Sequence, residues 1–409
     1  MKVRIHRGTQ QIGGTCIELA AAGDRIVLDF GLPLDGDATD SSLVPNVGGD
    51  DLRAILISHP HIDHYGLLHH MPQGIPVVMG GAARRIVQAA SPFTGQMLPS
   101  LEGHDLTHGE PLQLGAFRVT PYMVDHSAYD AYAFLVEAEG KRLFYSGDFR
   151  AHGRKAKLHE YLIASPPSNL DVLLMEGSSL SRLDSNESFP AEDDLEDQIV
   201  SHLKIADGLT LFHTSSQNID RIVTLYRACL RADKSLIIDL YTASILAATE
   251  NSRIPQSDWL GIHLYLPRKQ AIQVKQNAWF DLLKRHSVHR VYPDRLKHMA
   301  PNAVMLYRPL MMNDLDKAEC LAHASFIYSQ WDGYLKQGAY ATTESWLMHH
   351  GVEIQHIHTS GHASPRDLRR FAEALNPRAL VPIHSFAPDK YKDLFANVVY
   401  RQDGEWWEV

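Results

Sequence analysis

Short apolar runs, punctuated by glycine, proline and acidic residues, recur along the first part of this chain. Their length and β-branched content predict strands at 16–21, 25–29, 54–58, 76–79, 117–124, 132–138, 142–146 and 172–176. Met1-Lys2-Val3-Arg4-Ile5-His6 reads as a further strand, and Glu139-Gly140 as a hairpin turn between 132–138 and 142–146. Wider apolar spacing predicts helices around 64–71 and 82–90.

After Ser178 the pattern changes. Pro190 and the acidic run Glu192-Asp193-Asp194 open a helix that ends before Gly208, with the charges where the helix dipole favours them. A strand at Leu209–Phe212, an amphipathic helix from Asn218 to Ala232 and a strand at Leu236–Leu240 follow. This alternation predicts a smaller α/β domain with parallel strands. A helix from Thr342 to His350 then leads back into the strand-like Val352–His358. At 409 residues the chain exceeds what one core usually supports, and it contains no repeat or low-complexity linker. The simplest organisation is one domain in two segments, 1–178 and 351–409, with a second domain inserted at 179–350.

The densest chemistry is Ser58-His59-Pro60-His61-Ile62-Asp63-His64, directly after the apolar Ala54-Ile55-Leu56-Ile57. His59 and His61 alternate along an extended segment, so both rings can face one point past the strand end. Asp63 and His64 follow on the turn, aimed at a second point. Imidazole and carboxylate are good ligands for Zn²⁺, and Mn²⁺ can use the same set. This His-x-His-x-Asp-His spacing resembles the metallo-β-lactamase fold, whose members hold one or two metals between two β-sheets. The resemblance asks for more ligands at later strand ends, and the chain has them in order. Asp29 ends the strand at 25–29, with Gly31 just after it, and His126 ends the strand beginning at Phe117. Asp148 follows Arg142–Tyr145 through Ser146-Gly147, where glycine lets the backbone turn closely.

Composition narrows the field. Hydrophobic content of 44% and charged content of 21% are those of an ordinary globular protein and exclude a disordered chain. The 24 histidines are the outlier, but most lie outside any motif; His69, His70, His104, His108, His349 and His350 read as surface or core residues. No apolar window approaches a membrane span, and the first residues lack the apolar core of a signal peptide. Cys16, Cys229 and Cys320 are odd in number and scattered, which suits reduced thiols in a cytoplasm and offers no cysteine metal site. A net charge of −9 argues mildly against a protein that coats a phosphate backbone. A local basic groove remains open to Arg366, Arg369, Arg370 and Arg378, to Arg84-Arg85 and to the segment from Arg150 to Lys155.

A second constellation, Thr359-Ser360-Gly361-His362-Ala363-Ser364-Pro365, lies near the C-terminus. Ser364 is placed to cap a helix that starts at Pro365 and runs to about Leu375, and Ala379–His384 is another strand closing in a histidine. A helix start beside glycine and serine is a natural phosphate receptor. The alternative is a well-capped helix flanked by two core histidines.

With these motifs the resemblance sharpens to the β-CASP branch of the metallo-β-lactamase proteins, and within it to ribonuclease J, over nearly the whole chain. Gly13-Gly14-Thr15-Cys16, His59–His64, Val124-Asp125-His126-Ser127 and Ser146-Gly147-Asp148-Phe149-Arg150 resemble the lactamase-domain motifs. Met175-Glu176-Gly177-Ser178 and Phe212–Arg221 resemble segments that open and lie within the β-CASP insert. Ser360–Ser364 and Val381-Pro382-Ile383-His384 resemble the two late histidine motifs. Two departures stand out: Ser385-Phe386 replace the family's Gly-Glu, and the chain ends soon after His384, so the family's extra C-terminal domain is expected to be missing.

The resemblance implies a metallo-β-lactamase αββα sandwich with an inserted α/β β-CASP domain. It implies two divalent ions, Zn or Mn, one on His59, His61 and His126 and the other on Asp63, His64 and His384. Asp148 would bridge them, and Asp29 would orient a ligand from behind. Asp63, Glu176 and His362 would form the catalytic set: a metal-activated hydroxide attacks phosphorus, and His362, oriented by Glu176, protonates the departing 3′ oxygen. Gly361, Ala363 and Ser364 would hold a 5′ phosphate, favouring 5′-to-3′ exonuclease steps besides endonuclease cleavage. A histidine at the last motif goes with RNA. The implied partner is single-stranded RNA with a 5′-monophosphate end; no membrane is implied, and a homo-oligomer stays open. A small-molecule phosphodiesterase, which the acidic charge favours, and an inactive RNA-binding homologue are the competing readings.

Overall fold

The computed structural model describes residues 1–409 except Met97, Pro99, Ser100, Gln337 and Ala339. It divides into two compact units: Met1–Ser91, Gly95–Phe189 and Gly361–Val409 form the first, and Pro92–Thr94 with Pro190–Ser360 the second. The sequence puts the boundaries after 178 and 350; the compact units change over after Phe189 and Ser360.

Two sheets build the first unit. One runs in the order Trp406–Glu408, Lys2–Arg7, Cys16–Ala21, Asp24–Leu28, Leu52–Leu56, Val77–Gly80 and Asp105–Leu106. The other runs Ala379–Ile383, Val172–Glu176, Lys141–Tyr145, Ala131–Ala138, Phe117–Val124 and Leu112–Leu114. Strand parity sets the layers. Ile26, Leu28, Ala54 and Leu56 of the first sheet pack with Phe134, Val136, Leu174 and Val381 of the second in one central core. Their neighbours face outward. Val27, Ile55 and Ile57 meet Ala83 and Val87 of the helix Gly81–Thr94. Leu135, Phe144, Leu173 and Leu380 meet Leu162 of the helix Lys157–Ala164, and Leu368 and Phe371 of the helix Pro365–Leu375. The result is an αββα sandwich. Because both faces of the central strands are covered, they read as continuous apolar runs rather than as alternation.

Asp24–Leu28, Leu52–Leu56 and Val77–Gly80 are parallel neighbours in one sheet, as are Lys141–Tyr145, Val172–Glu176 and Ala379–Ile383 in the other. Asp29, His59, Asp148, Glu176 and His384 therefore all lie at or just past carboxyl ends of parallel strands, where open α/β sheets bind ligands.

The helix expected over 64–71 is not continuous. One turn spans Ile62–Tyr65 and a 3-10 turn spans Leu68–His70. Backbone pairing with the loop that follows the strand Asp24–Leu28 is the cause. Phe30 N–H donates to the His64 carbonyl at 2.7 Å, Leu32 N–H to Ile62 at 3.1 Å, and Leu67 N–H to Phe30 at 3.1 Å. The His64 carbonyl and the Leu67 N–H, which would carry the helix on, are spent on Phe30 instead, while the Ile62 carbonyl also keeps its helical bond from Gly66 N–H. That pairing leaves no room for a side chain at Gly31, where an added Cβ would come to 1.7 Å of the Asp63 carbonyl.

The second unit holds a seven-stranded sheet, parallel throughout as the sequence predicts, in the order Arg290–Val291, Ile262–Tyr265, Ser235–Ile238, Ala303–Leu306, Thr210–His213, Ser325–Tyr328 and Ile354–His356. The strand expected over 352–358 pairs only at Ile354–His356, on the sheet's edge. Fully buried Arg221 forks onto Glu192 with Nε and Nη2 at 3.1 and 3.0 Å, tying the helix Ile219–Arg231 to the helix Glu192–Ile205.

Candidate metal centre

The first unit gathers three groups of donors. Ligand atoms of His59, His61 and His126 lie within 4.8 Å of one another, as do those of Asp63, His64, Asp148 and His384, and those of Asp148, Glu176 and His362. Asp148 belongs to two groups. Its Oδ2 lies 3.2 Å from His64 Nε2, 3.4 Å from His384 Nε2, and 3.7 Å from both His59 Nε2 and His362 Nδ1. His126 Nε2 and His61 Nδ1 face each other at 3.1 Å.

The rings of His59, His64, His126 and His384 are aimed from behind. Asp29 is fully buried and receives Ser58 N–H at 2.7 Å, Ser58 Oγ–H at 2.8 Å and the Tyr145 hydroxyl. Its Oδ2 also lies 2.7 Å from His64 Nδ1, which fixes that proton and leaves Nε2 facing the donors. His126 Nδ1 donates to the Gly361 carbonyl at 2.6 Å, and His384 Nδ1 lies 3.0 Å from Thr15 Oγ1. His59 Nδ1 lies 3.0 Å from Ser58 Oγ. Two of these residues sit on left-handed backbone, Asp29 at φ 57° and His384 at φ 50°. Gly147, at φ 53°, packs so closely that a Cβ would meet the Tyr132 carbonyl at 2.9 Å.

Electrostatics agrees with a cation site. Burial pushes His59 and His126 well below the usual imidazole range, His61 down to about 4, and His384 below its ordinary value. These rings are neutral and have a lone pair to give. Burial works the same way on His64, but Asp148, Asp63 and Asp29 outweigh it and raise that ring well above its ordinary value. Burial would raise Asp148, yet His384, His64 and His362 hold its carboxyl well below the usual range. Nε2 of His59, His64 and His384 is buried without a hydrogen-bond partner. On His59 and His384, whose rings burial keeps neutral, such an orphan costs about 1–3 kcal/mol unless something takes its lone pair. Convergent imidazoles with a shared carboxylate fit a divalent ion there.

His362 stands at the open side, 21% exposed, with Nδ1 3.3 Å from Glu176 Oε1. Glu176 is fully buried and held by the backbone N–H groups of Phe149 at 3.3 Å and Ser178 at 3.1 Å. Burial lowers His362, but Glu176 and Asp148 prevail and raise it.

The structure corrects one expectation outright. Ser364 is fully buried, and its hydroxyl is used within the helix start: it donates to Asp367 Oδ2 at 2.7 Å and accepts Asp367 N–H at 3.2 Å. Ala363 is buried too, its carbonyl taken by Ser179 Oγ–H at 2.5 Å. Neither side chain faces a phosphate. Gly361 does adjoin the donors through its carbonyl on His126. Several of the basic-groove candidates are also engaged with carboxylates. Arg150 is fully buried beside Asp125 at 3.4 Å, Arg370 reaches Glu160 at 2.7 Å, and Arg378 reaches Asp171 at 3.0 Å. Of the histidines set aside, His69 and His70 converge on the Ala38 carbonyl and His350 pairs with Asp316.

Reading along the chain misses Ser58, Thr15 and Tyr145 as orienting groups. Ser58 precedes His59 directly and Thr15 lies inside a motif already singled out, so adjacency was the available signal. For Tyr145 there was none.

Residues 25–207 match the β-lactamase superfamily domain, and residues 351–392 match a Zn-dependent metallo-hydrolase RNA specificity domain. Ribonuclease J of Sinorhizobium meliloti is 22% identical over 370 residues, covering 82% of this chain and 58% of its own. Ribonuclease J of Helicobacter pylori is 20% identical, covering 92% of this chain and 55% of its own. This chain thus spans little more than half the length of these curated relatives. The crystal structure of a protein of unknown function from Enterococcus faecalis V583 superposes with a TM-score of 0.80 at 20% identity, covering 99% of both chains, and shares the fold.

Proposed function

We propose that this chain, a member of the β-CASP, ribonuclease J-like branch of the metallo-β-lactamase superfamily, is a metal-dependent ribonuclease that hydrolyses phosphodiester bonds of single-stranded RNA. The observation that carries the reading is the set of orphaned, buried Nε2 atoms of His59, His64 and His384 around the Asp148 carboxylate. We read the two donor groups as two metal positions, with His59, His61 and His126 on one side, Asp63, His64 and His384 on the other, and Asp148 between. Divalent ions held there, zinc or manganese, polarise phosphoryl oxygens and lower the pKa of water.

The chain's own residues do the rest. Asp29, Thr15 and the Gly361 carbonyl keep His64, His384 and His126 in one orientation, so no reorganisation is needed when substrate arrives. Glu176 holds His362 by Nδ1 and favours its protonated form, leaving Nε2 to deliver a proton to the departing 3′ oxygen. We extend the reading to 5′-to-3′ steps from a 5′-monophosphate end. Resemblance to ribonuclease J supports this extension, together with the backbone at Gly361, since the Ser364 hydroxyl is spent on its helix. Three buried free cysteines are compatible with a cytoplasmic setting, and among the described residues no helix is long and apolar enough to cross a membrane.

The test is the metal-loaded protein with 3′-labelled RNA bearing a 5′ monophosphate, triphosphate or hydroxyl, beside DNA and bis(p-nitrophenyl) phosphate. RNA should be degraded, fastest from the monophosphate, and a chelator should stop it. Intact RNA with rapid turnover of the small diester would overturn the ribonuclease reading. Equal rates at all three ends would remove the 5′ preference alone.

A further inference from the structure

A cavity of about 370 Å³ lies in the first unit, lined in part by residues that flank His384 in sequence. Three segments wall it: the loop at Thr9-Gln10, the turn after His384, and Tyr400–Gln402. All three are pinned. His384 N–H donates to the Gly8 carbonyl at 2.7 Å, Thr9 N–H to Asp403 at 3.2 Å, and Gly404 N–H to Ile5 at 2.7 Å. Ser385 turns inward, its hydroxyl donating to the Gly177 carbonyl at 3.0 Å and accepting Ala387 N–H at 3.1 Å. That leaves Phe386 outside, 59% exposed, on the cavity wall with Tyr400, itself 46% exposed. Gln10 and Gln402 add amides that both donate and accept. Arg401 lies 4.5 Å over Trp407 and keeps a buried Nε–H without a hydrogen-bond partner.

We infer that this cavity is a nucleobase subsite, in which Phe386 and Tyr400 stack on a base of the RNA strand a short way from the cleaved bond and Gln10 and Gln402 read its edge. The inference rests on the ribonuclease reading. The lining favours a base over a phosphate. Two exposed aromatic rings offer π-faces, which every base can stack on, and the Asp389 carboxylate on the wall opposes an anion. The volume suits one nucleotide. The place matters as well: Phe386 stands two residues from His384, whose N–H is held by Gly8, next to the Thr9-Gln10 wall.

The experiment uses metal-loaded protein and oligoribonucleotides, either intact or carrying one abasic ribose at successive positions. Replacing both Phe386→Ala and Tyr400→Ala should raise KM on intact RNA about tenfold, the scale of losing one base–aromatic stack, with kcat within about twofold. In the wild type a single abasic position should raise KM comparably, and in the double variant that position should have no further effect. Phe386→Tyr should keep wild-type values, and both exposed positions can be changed without opening the core, which a thermal melt checks. Unchanged KM in the double variant, or the same abasic profile in both proteins, would remove the subsite while leaving the ribonuclease intact. A wild type that does not cleave RNA at all would remove both.

Discussion

At the scale of single residues, the site depends on groups that never touch substrate. Asp29 collects Ser58, Tyr145 and His64 on one carboxylate, and it does so from left-handed backbone at φ 57°. Such backbone costs about 1 kcal/mol or more and persists only where surrounding contacts over-determine it. Asp29→Asn replaces one accepting oxygen with a donor, so either His64 or Ser58 loses its partner. Metal affinity should fall about 10- to 100-fold, the usual effect of losing a group that orients a ligand, with little change in fold. Metal retention after dialysis, read by elemental analysis, checks it; full retention would exclude the orienting role. Glu176 gives a second prediction. Its negative charge, with that of Asp148, keeps His362 raised against burial. If His362 donates a proton, activity falls as pH rises through its pKa. Glu176→Gln removes the largest raising influence, so the alkaline limb of kcat/KM should move to lower pH. A limb that stays in place would assign that proton to another group.

At the scale of elements, what a helix start does depends on where its cap points. Ser364 was legible as a cap because serine before proline at N1 is a strong local signal. That its hydroxyl is buried and shared with Asp367 was not legible, since the burial comes from the packing of Leu368 and Phe371 on the second sheet. Ser364→Ala should therefore cost about 1 kcal/mol of stability, seen as an earlier denaturant midpoint, and leave any preference among 5′ ends unchanged. A lost 5′ preference at unchanged stability would restore the hydroxyl to the phosphate. The broken 64–71 helix teaches the same lesson. Its apolar spacing is helical, yet the His64 carbonyl and the Leu67 N–H are claimed by Phe30, and tertiary pairing overrides local propensity.

At the scale of the whole molecule, two units carry different work. The described donors of the three clusters all belong to the first, and the second is organised around a parallel sheet with the Arg221–Glu192 fork buried beside it. Arg221 also donates to the Ser329 carbonyl at 3.2 Å, so its loss takes a donor from that carbonyl and the guanidinium from the buried Glu192 carboxylate, which keeps the Thr224 hydroxyl at 2.8 Å. Arg221→Ala should cost about 3–5 kcal/mol, measured by denaturant unfolding, whereas a loss under 1 kcal/mol would mean that water reaches Glu192. The sequence by itself determined the strands that lead into the candidate donors, the sandwich with its parallel insert, and which residues close those strands. Apolar runs set by burial on both faces are local, and the donors close those runs. Only the tertiary structure decided which donors share a centre, which groups aim them, and that Ser364 and Arg150 are spent inside the fold. Those facts depend on residues brought together from distant strands: Asp29 with Tyr145, His126 with Gly361, and His384 with Thr15 are joined by sheet register and side-chain packing, and nothing along the chain encodes a distance across it.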